Sequence, residues 1–194
     1  VDGIAYGDLQ EAINNANGKT VKLASDLNLN KQILVSNGNN VTLDLAGHNI
    51  SFALETNFKV SGGTLNVIGK GTIKEDKPYF SPITVYGSTD SNAKNYSTVV
   101  IGKDVTLIGW SGLFIDYVSG NMAAGVNVEV NGTLQSVPDV DGYDGHGIYL
   151  NGNVKNKANY PTITVNKTAK VLSGGPGIYA AGYAQWNING AYIE

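Results

Sequence analysis

The chain contains no cysteine and no arginine. Without cysteine there is no disulfide framework, no thiol nucleophile and no thiolate-held zinc. Without arginine all 13 basic residues are lysines, which are spread along the chain under a formal charge of −3. That leaves no basic footprint for a nucleic acid. Charged residues are also scarce, at 15% against 42% apolar, a balance that excludes a disordered tail. No apolar run reaches the length of a membrane span, so no membrane crossing is expected. The opening "VDGIAYGDLQ" lacks the basic start and apolar stretch of a signal peptide, and the chain reads as a mature or excised piece of a longer protein.

What is abundant is glycine, with 25 residues, together with Asn, Val, Ile and Thr. This is strand material interrupted at short intervals by turn formers. One helix is expected, over 8–17, where "DLQEAINNAN" sets Leu9, Ala12, Ile13 and Ala16 on one face. Asp8 as N-cap with Glu11 three residues on resembles a capping box, and Gly18 supplies the stop. Beyond Gly18 the segments "TVKLAS", "QILVS", "NVTLDL", "FKVSG", "TLNVIG" and "PITVYG" alternate and are too short for helices.

These segments repeat. "VVIGKDVTLIGWSGLFI" (99–115), "VEVNGTLQSVPDVDGYDGHGIYL" (128–150) and "ITVNKTAKVLSGGPGIYA" (163–180) share one plan. Each has a β-branched strand, a tight turn, a second short strand and a glycine-led strand. A repeat of roughly thirty residues with several strands is what one coil of a parallel β-helix requires, since each coil buries its inward side chains on the next. Leu113 and Ile115, Ile148 and Leu150, and Ile178 and Ala180 are expected inside, so Phe114, Tyr149 and Tyr179 should form an outward column.

"NVTLDLAGHNIS", after "TVKLASDLNLNKQILVSNG", and "GGPGIYAAGYAQWNINGAYIE" resemble segments of bacterial cell-surface proteins with right-handed parallel β-helix, pectate-lyase-like domains. The resemblance covers nearly the whole chain and implies architecture rather than activity, because such domains serve as lyases, hydrolases, adhesins and stalks. "GHGI" is similar to the Gly-His-Gly motif of the polygalacturonases. That likeness implies His146 assisting acids such as Asp144 and Asp116 at a glycosidic bond. The rest of that pattern is missing: there is no Asn-Thr-Asp triplet or Asp-Asp pair upstream, and an Arg-x-Lys clamp cannot exist without arginine.

Other candidates come from the residues themselves. "DVDGYD" sets Asp139, Asp141 and Asp144 in one loop with Gly142 easing the turn, a donor set suited to Ca2+, or alternatively a solvated acidic insertion. His48 is expected to make a hydrogen bond at a coil corner, and Asp44 and Glu129 to face outward. Tyrosine outnumbers phenylalanine 11 to 4. Rings with a polar edge suit sugar faces, which makes Phe114, Tyr149, Tyr179, Tyr183 and Trp186 candidate carbohydrate-binding residues; the alternative is rings that stack on one another from rung to rung.

The expected fold is therefore all-β, a right-handed single-stranded parallel β-helix forming a single domain over 1–194, with coils over 20–194 behind a capping helix. The expected role is a non-catalytic module of a bacterial surface or secreted protein, placed outside the cell and used in adhesion to a glycan or host-cell ligand. A carbohydrate-active enzyme of the lyase or hydrolase type and a passive stalk are the alternatives. No organic cofactor is implied. "NINGAYIE" keeps the style of the repeat, so another coil or domain is expected to follow it.

Overall fold

β-Branched residues at alternate positions give each short segment one apolar face, which it can bury only by stacking on a copy of itself. The computed structural model, which describes residues 1–53, 55–117, 123–137, 145–152, 154 and 156–194, shows that stacking. The first coil contains β1 (Lys19–Lys22), β2 (Leu27–Leu29) and β3 (Ile33–Ser36). The second contains β4 (Asn40–Asp44), β5 (Ile50–Phe52) and β6 (Phe58–Ser61), and the third β7 (Thr64–Ile68), β8 (Gly71–Glu75) and β9 (Ile83–Gly87). The fourth contains β10 (Ser97–Ile101), β11 (Val105–Gly109) and β12 (Ser111–Tyr117). The fifth contains β13 (Val126–Val130), β14 (Thr133–Ser136) and β15 (His146–Gly152), and the sixth β16 (Thr162–Val165), β17 (Lys170–Leu172) and β18 (Ile178–Gly182). β19 (Gln185–Ile188) and β20 (Tyr192–Ile193) follow.

Every strand pairs in parallel with the strand three further along, which produces three sheets of seven, seven and six strands. This is a parallel β-helix. The A sheet begins with β1, the B sheet with β2 and the C sheet with β3. The rungs are unequal in length: Val41 pairs with Leu65, whereas Leu65 pairs with Val99. The difference is absorbed in the corners.

The interior is a set of apolar columns. On the A sheet Val41, Leu65, Val99, Val128 and Ile163 fall in register, and on the B sheet Ile50, Ile73, Leu107, Leu134 and Val171 do the same. On the C sheet Phe58, Ile83, Leu113 and Ile148 form one column, and Val60, Val85, Ile115 and Leu150 another. All of these are buried. The sequence-based inward positions on β12 and β15 are thus borne out.

Among the described residues one inward position is acidic. Glu75 follows Phe52 on the B sheet and is completely buried.

The helix α1 (Leu9–Asn14) is shorter than the 8–17 expected from periodicity. Asp8 caps it, accepting a hydrogen bond from Glu11 N at 3.0 Å, and also meets Lys31. It ends early because Asn15 leaves the helical conformation (φ −96°, ψ 3°) and its side chain bonds back to Glu11 O, a competition typical of asparagine. Leu9, Ala12, Ile13 and Ala16 are nevertheless all buried against the first coil.

Among the described residues no helix is long and apolar enough to cross a membrane.

Candidate functional site: an aromatic face on the C sheet

Register on the C sheet places two outward columns side by side. The first runs Leu34, Lys59, Thr84, Phe114, Tyr149, Tyr179; the second runs Ser36, Ser61, Tyr86, Asp116, Asn151, Ala181. The outward positions expected for Phe114, Tyr149 and Tyr179 are therefore in place. Phe114 meets Tyr149 edge-on at 4.9 Å between centroids, and Tyr149 lies near-parallel to Tyr179 at 4.9 Å.

His146 joins this group. Its ring is within 14° of parallel to both tyrosines, at 5.2 Å from Tyr149 and 4.9 Å from Tyr179, so the three rings occupy the corners of a nearly equilateral triangle. Trp110, on the preceding coil, contacts His146 and Tyr149, and Tyr79 in turn contacts Trp110. Tyr79 and Tyr179 are exposed, Trp110, Phe114 and Tyr149 are half-buried, and His146 is only 9% exposed.

The glycines of "GHGI" have a packing origin. A Cβ on Gly145 would run into the Trp110 carbonyl, and one on Gly147 into the Val171 side chain and the Gly177 carbonyl. The same corner recurs in the coil before, where Gly112 passes close to Leu134, and in the coil after, where Gly177 passes Ile193. Leu134, Val171 and Ile193 are themselves in register on the B sheet. Each glycine-led strand thus crosses at backbone distance from an inward residue of the next coil.

Along the backbone His146 and Asp116 are well separated: His146 is in register with Ser111, and Asp116 stands five residues further along that strand, a rise of roughly 16 Å at 3.3 Å per residue. Asp116 is half-buried; its Oδ1 accepts from Asn151 Nδ2 at 3.2 Å, and burial pushes its carboxyl above the usual range against that bond and one from the Tyr117 N–H. Burial likewise raises the Tyr86 hydroxyl, with Asp116 adding to the effect. Lys59 Nζ lies 4.5 Å from the centre of the Tyr86 ring. Among the described outward residues of the C sheet, Asp116 is the only acid.

The remaining candidates lie elsewhere. Tyr183 is exposed and stacks on Tyr160 at 5.5 Å and 10°, at the corner leading into the A sheet. Trp186 is in register with Ile163 and belongs to the inward column of the A sheet, packed against the core; it is not part of the outward face. Its alternation with Ile188 was the available signal. His48 does sit at a coil corner, with Nδ1 3.5 Å from Asp26 Oδ1. Glu129 is exposed and receives the amides of Asn131 and Asn166, while Asp44 Oδ1 accepts from Ala46 N.

Asp139, Asp141 and Asp144 lie outside the described residues. Among the described residues no group of three His, Asp or Glu side chains is arranged to hold a metal. Trp110, Tyr79, Tyr86 and Asn151 were not singled out from the sequence; Trp110 in "LIGWSGLFI" occupies the corner that Gly145 takes one coil later, and this alignment of repeats was the signal for it.

No protein-family model, curated protein or solved structure matches the chain.

Proposed function

We propose that this β-helix is a non-catalytic, glycan-binding module of a bacterial surface or secreted protein, with the outward C-sheet face as its contact surface. The observation that carries the reading is the near-parallel triangle of Tyr149, Tyr179 and His146 beside the Asp116–Asn151 pair. Polar-edged rings next to hydrogen-bonding groups are what sugar recognition uses.

Ring stacking also restricts the mode of contact. Faces packed on neighbouring rings are not open to a sugar, so the ligand meets the outward edges and hydroxyls of the stack and the exposed ring of Tyr179. Chemistry on the sugar is disfavoured by the same layout. Glycoside hydrolysis uses two acids on one bond, and on this face Asp116 has no acidic partner among the described residues.

A glycan array with reducing-end assays on every hit tests the proposal. Binding without product is expected, and Tyr149→Ala and Tyr179→Ala should each weaken it about tenfold, equivalent to roughly 1.4 kcal/mol. Release of reducing ends from a bound glycan would favour the enzyme alternative. Unchanged binding by both variants would favour a stalk.

A further inference from the structure

Resting on that reading, the geometry points to the chemical class of the glycan: we infer that Asp116, held by Asn151, is the hydrogen-bond acceptor that selects neutral sugars and rejects uronates at the aromatic end of the C-sheet face.

Asp116 stands two residues beyond Phe114 on β12, and Asn151 two residues beyond Tyr149 on β15. Side chains at i and i+2 of a strand share a face, and adjacent rungs are about 4.8 Å apart. The carboxylate and amide therefore run alongside the ring column over the same two rungs. A chain of sugars lying along the rings presents its hydroxyls to them.

Of the two carboxylate oxygens, Oδ1 takes the Asn151 amide, and no other side chain among the described residues donates to Asp116. An ionised carboxylate only accepts, so its open capacity suits hydroxyl donors. Such bonds are charge-assisted and stronger than neutral ones.

A sugar carboxylate in the same position would face Asp116 in half-buried surroundings, where like charges repel more than in water. Among the described residues no cation is paired with Asp116. Of the described outward residues of the face Lys59 is the only basic one; it belongs to β6, two rungs before β12, and already lies over Tyr86. Arginine, the residue best shaped for bidentate carboxylate binding, is absent from the chain.

The test is calorimetric titration with neutral gluco-, manno- and galacto-tetrasaccharides and with tetragalacturonate, in chelator and again with added calcium. The parent should bind at least one neutral tetrasaccharide ten or more times tighter than the uronate under both conditions. Asp116→Asn and Asp116→Ser, each verified by an unchanged melt, should weaken the neutral ligand about tenfold and narrow the gap to the uronate. Preference for the uronate in either condition overturns the inference. So does full neutral binding by both Asp116 variants while Tyr149→Ala and Tyr179→Ala lose it, and in that case the ring surface survives as the binding site. Loss of no affinity in the tyrosine variants, or binding of neither ligand class, overturns the ring surface and this inference together.

Discussion

The side-chain amide of Gln10 pairs with the backbone of Leu34 in both directions. Its Nε2 donates to Leu34 O at 2.9 Å, and its Oε1 accepts from Leu34 N at 2.6 Å. Leu34 lies on β3, the strand that ends the C sheet, whose free edge would otherwise offer unpaired groups to any passing strand. A glutamine in the helix thus substitutes for the peptide group of a further coil. Asn39 Nδ2 to Ile13 O and Asn40 N to Asn17 Oδ1 tie the same helical region to the next corner.

Gln10→Ala removes both bonds at once and should lower stability by about 1–2 kcal/mol, read as a fall of several degrees in Tm. Gln10→Glu, which loses only the donor, should fall between. Removing residues 1–18 also uncovers the apolar surface beneath Leu9, Ala12, Ile13 and Ala16 and should produce aggregation. A truncated chain that stays monomeric and melts cooperatively would show that the helix is not a cap.

Glu75 gives a stability term that depends on pH. It is completely buried, Oε1 accepts from Lys77 N at 2.7 Å, and among the described residues Oε2 has no hydrogen-bond partner. Burial raises its carboxyl above the ordinary glutamate range. A group bound more tightly to its proton when folded favours the folded state at pH values where it is protonated in both states, and that advantage is lost as pH rises from the unfolded value through the folded one. The contribution of Glu75 to stability should therefore decline over the pH interval just above the ordinary glutamate range. Glu75→Gln should remove that decline and raise Tm at neutral pH; parallel Tm-versus-pH curves for parent and variant would show that Glu75 is not its source.

Three asparagines form a ladder at the corner between the A and B sheets. Asn166 Nδ2 donates to Asn131 Oδ1 at 2.9 Å and to Glu129 Oε1 at 2.9 Å, and Asn166 Oδ1 accepts from Asn189 Nδ2 at 3.0 Å. The middle member serves both neighbours, so Asn166→Ala should cost more than Asn189→Ala, by about 1 kcal/mol. Comparing the two denaturation midpoints checks the ranking, and equal costs would mean that the ladder is not coupled.

Alternation was enough to read the coil, because a one-residue slip exchanges every inward side chain for an outward one. Leu113 and Ile115 inside with Phe114 outside followed directly from it. Register between coils was harder to read, since corners of unequal length decide which residues become neighbours. Composition groups Trp186 with the sugar-facing rings, whereas its phase with Ile188 places it in the column of Ile163. Trp110 and Tyr79 sit in corners, where no periodicity applies. Glu75 is in phase with Ile73, but an acid in an inward position runs against the binary pattern on which the reading relied. The neighbours of His146 depended on the coil after it, because Tyr179 is 33 positions further along the chain.

The glycines of "GHGI" and the histidine between them should separate cleanly by mutation. Gly147→Ala forces a methyl group into the Val171 side chain and the Gly177 carbonyl, and overpacking of this kind costs about 1–3 kcal/mol. Gly112→Ala, one coil earlier against Leu134, should behave in the same way although no histidine adjoins it. His146→Ala removes a ring packed against Trp110, Tyr149 and Tyr179 and should also destabilise, by about 1–3 kcal/mol for the lost aromatic contacts. Thermal melts of the three variants together with reducing-end assays on polygalacturonate check the prediction. Lower Tm in all three, with no hydrolysis by the parent, is expected of a motif that exists for packing. Hydrolysis by the parent that disappears in His146→Ala, with the melt unchanged, would instead make His146 a catalytic residue and restore the polygalacturonase reading of the motif.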